Sequence, residues 1–445
     1  MDFTRAQAYL YSFADYEKKD RFAYDTRTWN LTAFRKFLDE LGAPDGAFSI
    51  AHVAGTNGKG AAAAALAALL TAGGKKAGLY TSPHLATIRE RARVDGAMIP
   101  EAAFARLTGK LKKLQESSGH GEGGGYRTTF ELLTALALLH FAEKGVEWAV
   151  LEVGLGGRLD ATNVTAPEMC LFTKIALDHE GVLGEGLDAV AREKAGILKP
   201  GVPALSVPQE GVARGVLEAR AAEVGTRVAF LGEGDLDGLG LDGERRVLWN
   251  SKPLALRGDF QRWNLGLALA AYKSLSGRFG LPADEKIFKR GLTGLRWPGR
   301  FEVVGREPLV VLDGGHNPAA LAAIFDEIGR LPAERRFLVF GVSANKDLAG
   351  MCALAGSFDR IFLTQAPNPR AVAVEALGAL LPVEKTVAVP GGPADALLRA
   401  LDESRPGDLV LVAGSLYVAG EVKARAAELG LDDSLETWVA PCDLP

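Results

Sequence analysis

The sequence is poor in the features that would take it out of the ordinary soluble globular class. Three cysteines in 445 residues, Cys170, Cys352 and Cys442, are too few and too scattered for a disulfide framework, and none stands at a metal-binding spacing. No uninterrupted apolar run approaches the roughly 18 residues of a membrane span. The first twenty residues, MDFTRAQAYLYSFADYEKKD, are charged throughout. The net charge of −4 lacks the basic excess that draws a protein to nucleic acid or anionic membranes, although a local basic pocket for acidic small molecules remains open. No repeat with a period of about 20 to 50 residues is present, which excludes a solenoid. These absences predict a cytoplasmic protein with small-molecule partners, without nucleic acid or membrane.

With 48% hydrophobic and 24% charged residues, the chain is long enough for two or three domains with their own cores. Short apolar runs alternate with alanine- and leucine-rich helical stretches, the signature of an α/β fold with a mostly parallel sheet. FSIAHVAG, KAGLYTS, EWAVLEVG, MCLFTKI and VPALSVP read as strands. The glycine cluster from Ser117 to Gly125 reads as a connection, and RVAFLGEGDLDGLGLDGERRVLWN as a small β excursion. Proline and glycine in LRWPGR interrupt the pattern. A second alternation then begins with EPLVVLDGG, RRFLVFGV, DRIFLTQA, KTVAVPG and DLVLVAGS, so the boundary is placed between residues 297 and 298.

In AGTNGKG a strand runs through a glycine-rich turn to Lys59 at the mouth of a helix, which would aim backbone N–H groups at one anion. The strict phosphate-loop pattern wants glycine at Val53 and Ser or Thr directly after the lysine, so a tight glycine turn is the alternative. Glu152, near the end of a hydrophobic strand in LEVGLGGRLDATN, suggests a cation partner or a plain arginine pair. Asp160 lies on the following loop. Asp178 and His179 end the next strand, where the imidazole is either a metal ligand or a hydrogen-bonding loop residue. Lys194 in AREKAGILKPG reads from spacing as a solvated helix lysine. Asp313, His316 and Asn317 in VLDGGHNPAAL fit either a site or a helix-capping turn. All these groups fall at carboxyl ends of strands, in both halves, and two such edges facing each other would enclose a cleft.

Taken together, GTNGKG, YTSPHLATIRERARVDG, TTFELLTALA, LEVGLGGRLDATN, ALDHEGVLG, AREKAGILKPG, WPGRFE, DGGHNP and GSLY resemble, in order and across almost the whole chain, the folylpolyglutamate synthase and dihydrofolate synthase family of the Mur ligase superfamily. The resemblance implies a large P-loop-type ATP-binding and pterin or folate domain over 1–297 and a smaller Rossmann-like glutamate-ligase domain over 298–445. It implies an ATP-dependent ligase that activates a carboxylate as an acyl phosphate and lets the amine of L-glutamate displace phosphate. By the same resemblance Gly55, Thr56, Asn57, Gly58, Lys59 and Gly60 form the ATP loop, and Ser82, Glu152 and His179 hold Mg²⁺. Ser82 thereby replaces the hydroxyl that the loop lacks. Lys194 matches a lysine that relatives carry as a carbamate supporting a second Mg²⁺. Asn264, Arg300 and Asp313 match ATP-binding positions and His316 a cleft histidine; Lys59, Lys194 and His316 are the catalytic candidates. Thr128 and Asp160 match positions near the pterin or folate. The family suggests a monomer.

Three departures stand out. Ala61 occupies a position where many relatives have Ser or Thr. Phe260 and Gln261 replace a common His-Gln pair, and Gly315 replaces an alanine. The segment before Phe48, where relatives build part of the pterin site, shows no match. Two other readings stay open: a cell-wall precursor ligase of the same superfamily, disfavoured because its loop resembles GTNGKT or GTKGKT, and a nucleotide-binding protein without ligase activity.

Overall fold

The computed structural model describes residues 1–16, 24–26, 29–117, 127–366 and 368–431. Among the described residues the chain forms two compact units, one holding Met1–Gly238 and Trp263–Leu295, the other Leu239–Arg262 and residues 296–431.

The first unit is built on eight strands: β1 Ser49–Ala54, β2 Ala77–Tyr80, β3 Ala92–Val94, β4 Ala97–Met98, β5 Trp148–Glu152, β6 Met169–Phe172, β7 Ala204–Ser206 and β8 Val228–Phe230. Their order is β4-β3-β2-β5-β1-β6-β7-β8, parallel except where β3 pairs with β2 and β4. Every residue of β5 and β6 is buried, as expected for strands covered on both faces. The helix Lys59–Ala72 is apolar around its whole circumference, so it sits inside the unit rather than on its surface. One core cluster gathers Tyr80, Leu107, Leu136, Phe141 and Leu151; another gathers Cys170, Phe172, Val190, Ile197 and Leu217. The connection after β1 runs to one side of the sheet and that after β6 to the other, so the carboxyl ends of these neighbours mark a topological switch point.

The second unit contains a three-stranded antiparallel sheet, β9 Leu239–Leu241, β10 Arg246–Trp249 and β11 Lys252–Arg257. Its six-stranded sheet runs β12-β13-β17-β14-β15-β16, with β12 Glu302–Arg306, β13 Leu309–Leu312, β14 Arg336–Phe340, β15 Arg360–Leu363, β16 Thr386–Ala388 and β17 Leu409–Ala413. Only β12 is antiparallel to its neighbour. Arg245 grips the buried Glu327 with two hydrogen bonds, 2.5 and 2.9 Å, and Glu327 also accepts the N–H of Asp259 at 2.9 Å. That carboxylate ties the small sheet to the helix Pro318–Gly329, which is why residues 239–262 group with the second unit.

The strands expected from the sequence all form. The β excursion divides: RVAF is β8 of the large sheet, and only the rest makes the small one. The edge strand β4 and its neighbour β3, of two and three residues, carry no alternation long enough to read. The glycine connection lies, after Ser117, outside the described residues.

Candidate active site

Beyond β1 the chain turns through Gly55–Gly58 into the helix Lys59–Ala72. Thr56 and Asn57 both donate their N–H to the carbonyl of Lys174, at 2.9 and 3.2 Å. The Thr56 hydroxyl donates to the Ala176 carbonyl at 2.9 Å and accepts its N–H at 3.0 Å. These bonds pin the loop to the segment after β6. The helical ladder begins with the Ala62 N–H on the Gly58 carbonyl, which leaves the N–H groups of residues 59 to 61 as first-turn donors for an anion. Gly58 has φ +90°, and a Cβ there would stand 2.4 Å from Oδ1 of Asn264. Only glycine lets the buried Asn264 side chain reach the loop backbone.

Lys59 lies 3.9 Å from Oε1 of Glu152, whose Oε2 accepts the Ser82 N–H at 3.0 Å. Glu152 is the last residue of β5 and Ser82 follows β2, the neighbouring strand, so sheet order puts them side by side. Glu152 is 5% exposed, and the Lys59 ammonium is a cation beside it. His179 adopts φ +57° at the start of the short helix Glu180–Leu183, where its N–H donates to Oδ1 of Asp178 and its Nε2 lies 3.8 Å from the same carboxylate. Among the described residues no three His, Cys, Asp or Glu side chains gather to hold a metal by themselves. By residue type the expected donors are the Glu152 carboxylate, the Ser82 hydroxyl and the His179 imidazole, a set that suits Mg²⁺ if completed by water and phosphate oxygens.

Lys194 is not a solvated helix lysine: it is 5% exposed. Its helix, Gly186–Ala195, presses its last carbonyls against the glycine loop after β5, where a Cβ on Gly157 would come within 2.8 Å of the Glu193 carbonyl. Asp160 is wholly buried and both its oxygens are engaged within the protein. Oδ2 accepts the N–H groups of Gly154 and Leu155, and Oδ1 accepts the N–H and hydroxyl of Thr162. Since the Thr162 proton goes to Asp160, Nε2 of His52 is the donor in its 2.7 Å contact with Thr162 Oγ1. Burial holds His52 neutral, with its pKa lowered to about 3. Thr128 caps the helix Thr129–Glu143 in a capping box with Glu131, whose burial raises its carboxyl to about 7. The T-x-x-E spacing of that box is legible in TTFE; the His52–Thr162–Asp160 chain has no comparable sequence signal.

In the second unit, β13 leads into Asp313–Pro318. Asp313 is buried and accepts the N–H of Phe301 at 2.7 Å and of Gly315 at 2.6 Å, and burial lifts its pKa to about 6 against the opposing pull of Arg300. The His316 ring contacts the Gly314 carbonyl at 2.9 Å, and Asn317 caps the next helix through Ala320, so the capping reading is correct for Asn317. Arg300 donates to the Gly299 carbonyl. Phe260 packs edge-on against Phe301, and Gln261 is buried.

Residues 299–416 match the family described as Mur ligase, glutamate ligase domain. The chain is 31% identical over 436 residues to the folylpolyglutamate synthase of Lacticaseibacillus casei, covering 95% of this chain and 98% of that one. It belongs to the folylpolyglutamate synthase/dihydrofolate synthase family. A Haloferax volcanii member, named for folylpolyglutamate synthase and dihydropteroate synthase together, is 35% identical over 92% of this chain, and the chain spans 50% of its length. Among solved members of the family, the folylpolyglutamate synthase of Mycobacterium tuberculosis complexed with ADP superimposes with a TM-score of 0.84 at 28% identity, over 95% of this chain and 98% of that one. The bifunctional folylpolyglutamate synthase/dihydrofolate synthase of Yersinia pestis, complexed with AMPPNP and a manganese ion, gives 0.79 at 26% identity, over 96% and 98%. No helix among the described residues is long and apolar enough to cross a membrane.

Proposed function

We propose that this chain is an ATP-dependent ligase that joins L-glutamate to the carboxylate of dihydropteroate, to the γ-carboxylate of a folate, or to both. The observation that carries this reading is the gathering of Lys59, Glu152 and the Ser82 backbone at the mouth of a phosphate-loop helix, in a chain that matches the family along its length.

A carboxylate resists attack by an amine because its oxygen is a poor leaving group, and transfer of a phosphoryl group removes that obstacle. In this reading the first-turn N–H groups and the Lys59 ammonium hold the phosphates of ATP. Glu152, Ser82 and His179 hold Mg²⁺, which when bound supplies positive charge beside the transferred group. Lys194, as a carbamate, would help hold a second ion, and its burial would keep bulk water from the modification. Asn264, Arg300 and Asp313 serve the nucleotide, and His316 the reacting groups. Thr128 and Asp160 shape the pterin or folate side through the helix and loop they fix, since the Asp160 oxygens are spent on the protein itself. The domain roles follow the same division, with the glutamate-ligase part at residues 298–445. The same reading makes the protein a cytoplasmic monomer.

Phosphate release from purified protein with Mg-ATP and L-glutamate tests this, with dihydropteroate, tetrahydrofolate and a muramyl nucleotide as acceptors. Glutamate-dependent release with one or both pterins is the expected result. Release with the muramyl nucleotide alone, or with no acceptor, overturns the folate assignment.

A further inference from the structure

Lys423, in the helix Leu416–Ala424, has no solvent exposure, and its Nζ lies 2.8 Å from Oε1 of Glu302 at the start of β12. Taking a lysine ammonium out of water costs several kcal/mol even when it is paired, so an apolar residue would serve packing at least as well. What the pair holds is therefore the telling feature. The other oxygen of Glu302 accepts the Gly299 N–H at 2.8 Å. The carbonyl of that residue accepts both the guanidinium of Arg300 at 3.0 Å and the N–H of Gly314 at 2.8 Å. The Gly314 carbonyl in turn meets the His316 ring. Between these contacts Phe301 is held at φ +52°, a conformation that costs a non-glycine residue about 1 kcal/mol or more and persists only when its surroundings enforce it. Asp313 clamps the N–H of Phe301 from one side and Glu302 follows it directly in the chain.

We propose that Lys423 and Glu302 form a buried positioning pair that sets the orientation of Arg300 for binding the nucleotide. The inference rests on the ligase reading for what Arg300 does, while the pair and its hydrogen bonds stand independently of it. Neither side chain need touch the ligand. Lys423 fixes the carboxylate, the carboxylate fixes Gly299 by its N–H, and the carbonyl of the same residue receives the guanidinium.

The test is a double-mutant cycle on the full chain, read by calorimetric titration with a non-hydrolysable ATP analogue and Mg²⁺. Lys423→Met is expected to weaken binding about tenfold, the scale of one lost hydrogen bond to a charged group, and to cause no further loss in an Arg300→Ala background. Unchanged affinity in Lys423→Met, or two losses that multiply, overturns the proposal, because a merely structural lysine would not act through Arg300. Should Lys423→Met fail to give folded protein, Glu302→Gln keeps the shape and the acceptor for Gly299 and enters the same cycle with the same expectation. Phosphate release is measured in parallel. A wild-type protein that binds the analogue but releases no phosphate with any acceptor sinks the ligase reading alone and leaves the cycle to decide the positioning role.

Discussion

The ammonium of Lys59 stands 3.9 Å from one oxygen of Glu152, while the other oxygen is held at 3.0 Å by the backbone N–H of Ser82. One oxygen is thus fixed by the main chain and the other faces a cation on a flexible stem. At that separation the attraction is electrostatic rather than a hydrogen bond, so an incoming phosphate can draw the lysine away and leave the carboxylate to a metal ion.

Removing this cation is the most direct challenge to the site. Lys59→Ala should lower turnover by roughly 10²- to 10³-fold, the scale of losing one preorganised charge from a phosphoryl-transfer site, and should weaken ATP binding. An unchanged rate and ATP affinity would take the loop out of the mechanism.

Lys194 offers a chemical rescue. Lys194→Ala should lose activity that short-chain carboxylic acids partly restore by occupying the space of a carbamate. An intact mass showing unmodified lysine in fully active protein refutes the carbamate.

Ala61 is 3% exposed in the first turn of its helix, so a serine hydroxyl there needs a backbone carbonyl or the bound anion as its partner. Ala61→Ser should change stability by less than about 1 kcal/mol, with activity kept or slightly raised. A large loss of activity means the site is packed around the methyl group.

Thr162 joins His52 to Asp160. Thr162→Val leaves the His52 N–H without its acceptor and strips one donor from a buried carboxylate, at a cost of about 2 to 3 kcal/mol. Urea unfolding measures this, and a midpoint equal to wild type shows the chain to be dispensable.

Glu131 links stability to pH. Its carboxyl is raised from 4.5 to about 7 by burial, so the folded state binds the proton more tightly than the unfolded chain does. Between those values the native state carries more protons, and stability falls as pH rises until the native group has also ionised near pH 7. Glu131→Gln should flatten this decline; an identical pH profile of the unfolding midpoint in both proteins contradicts the assignment.

By itself the sequence determined the alternation of strands and helices, the glycine-rich turn before Lys59 and the carboxyl-edge placement of Glu152, His179 and Asp313, because apolar periodicity and turn chemistry are local properties. Tertiary structure decided what those groups meet. Lys194 reads as a solvated helix residue, since nothing in its neighbours announces that the glycine loop after β5 will cover it. Thr56 and Asn57 belong by resemblance to the ATP loop, and only the fold shows that their N–H groups go to Lys174, more than a hundred residues away. The short strands β3 and β4 gain their order from longer neighbours rather than from their own pattern. Glu302 and Lys423 are 121 residues apart, and their pairing exists only because the fold brings β12 against the helix Leu416–Ala424. Partners so distant leave no periodic trace, because burial and pairing depend on which surfaces the folded chain presses together.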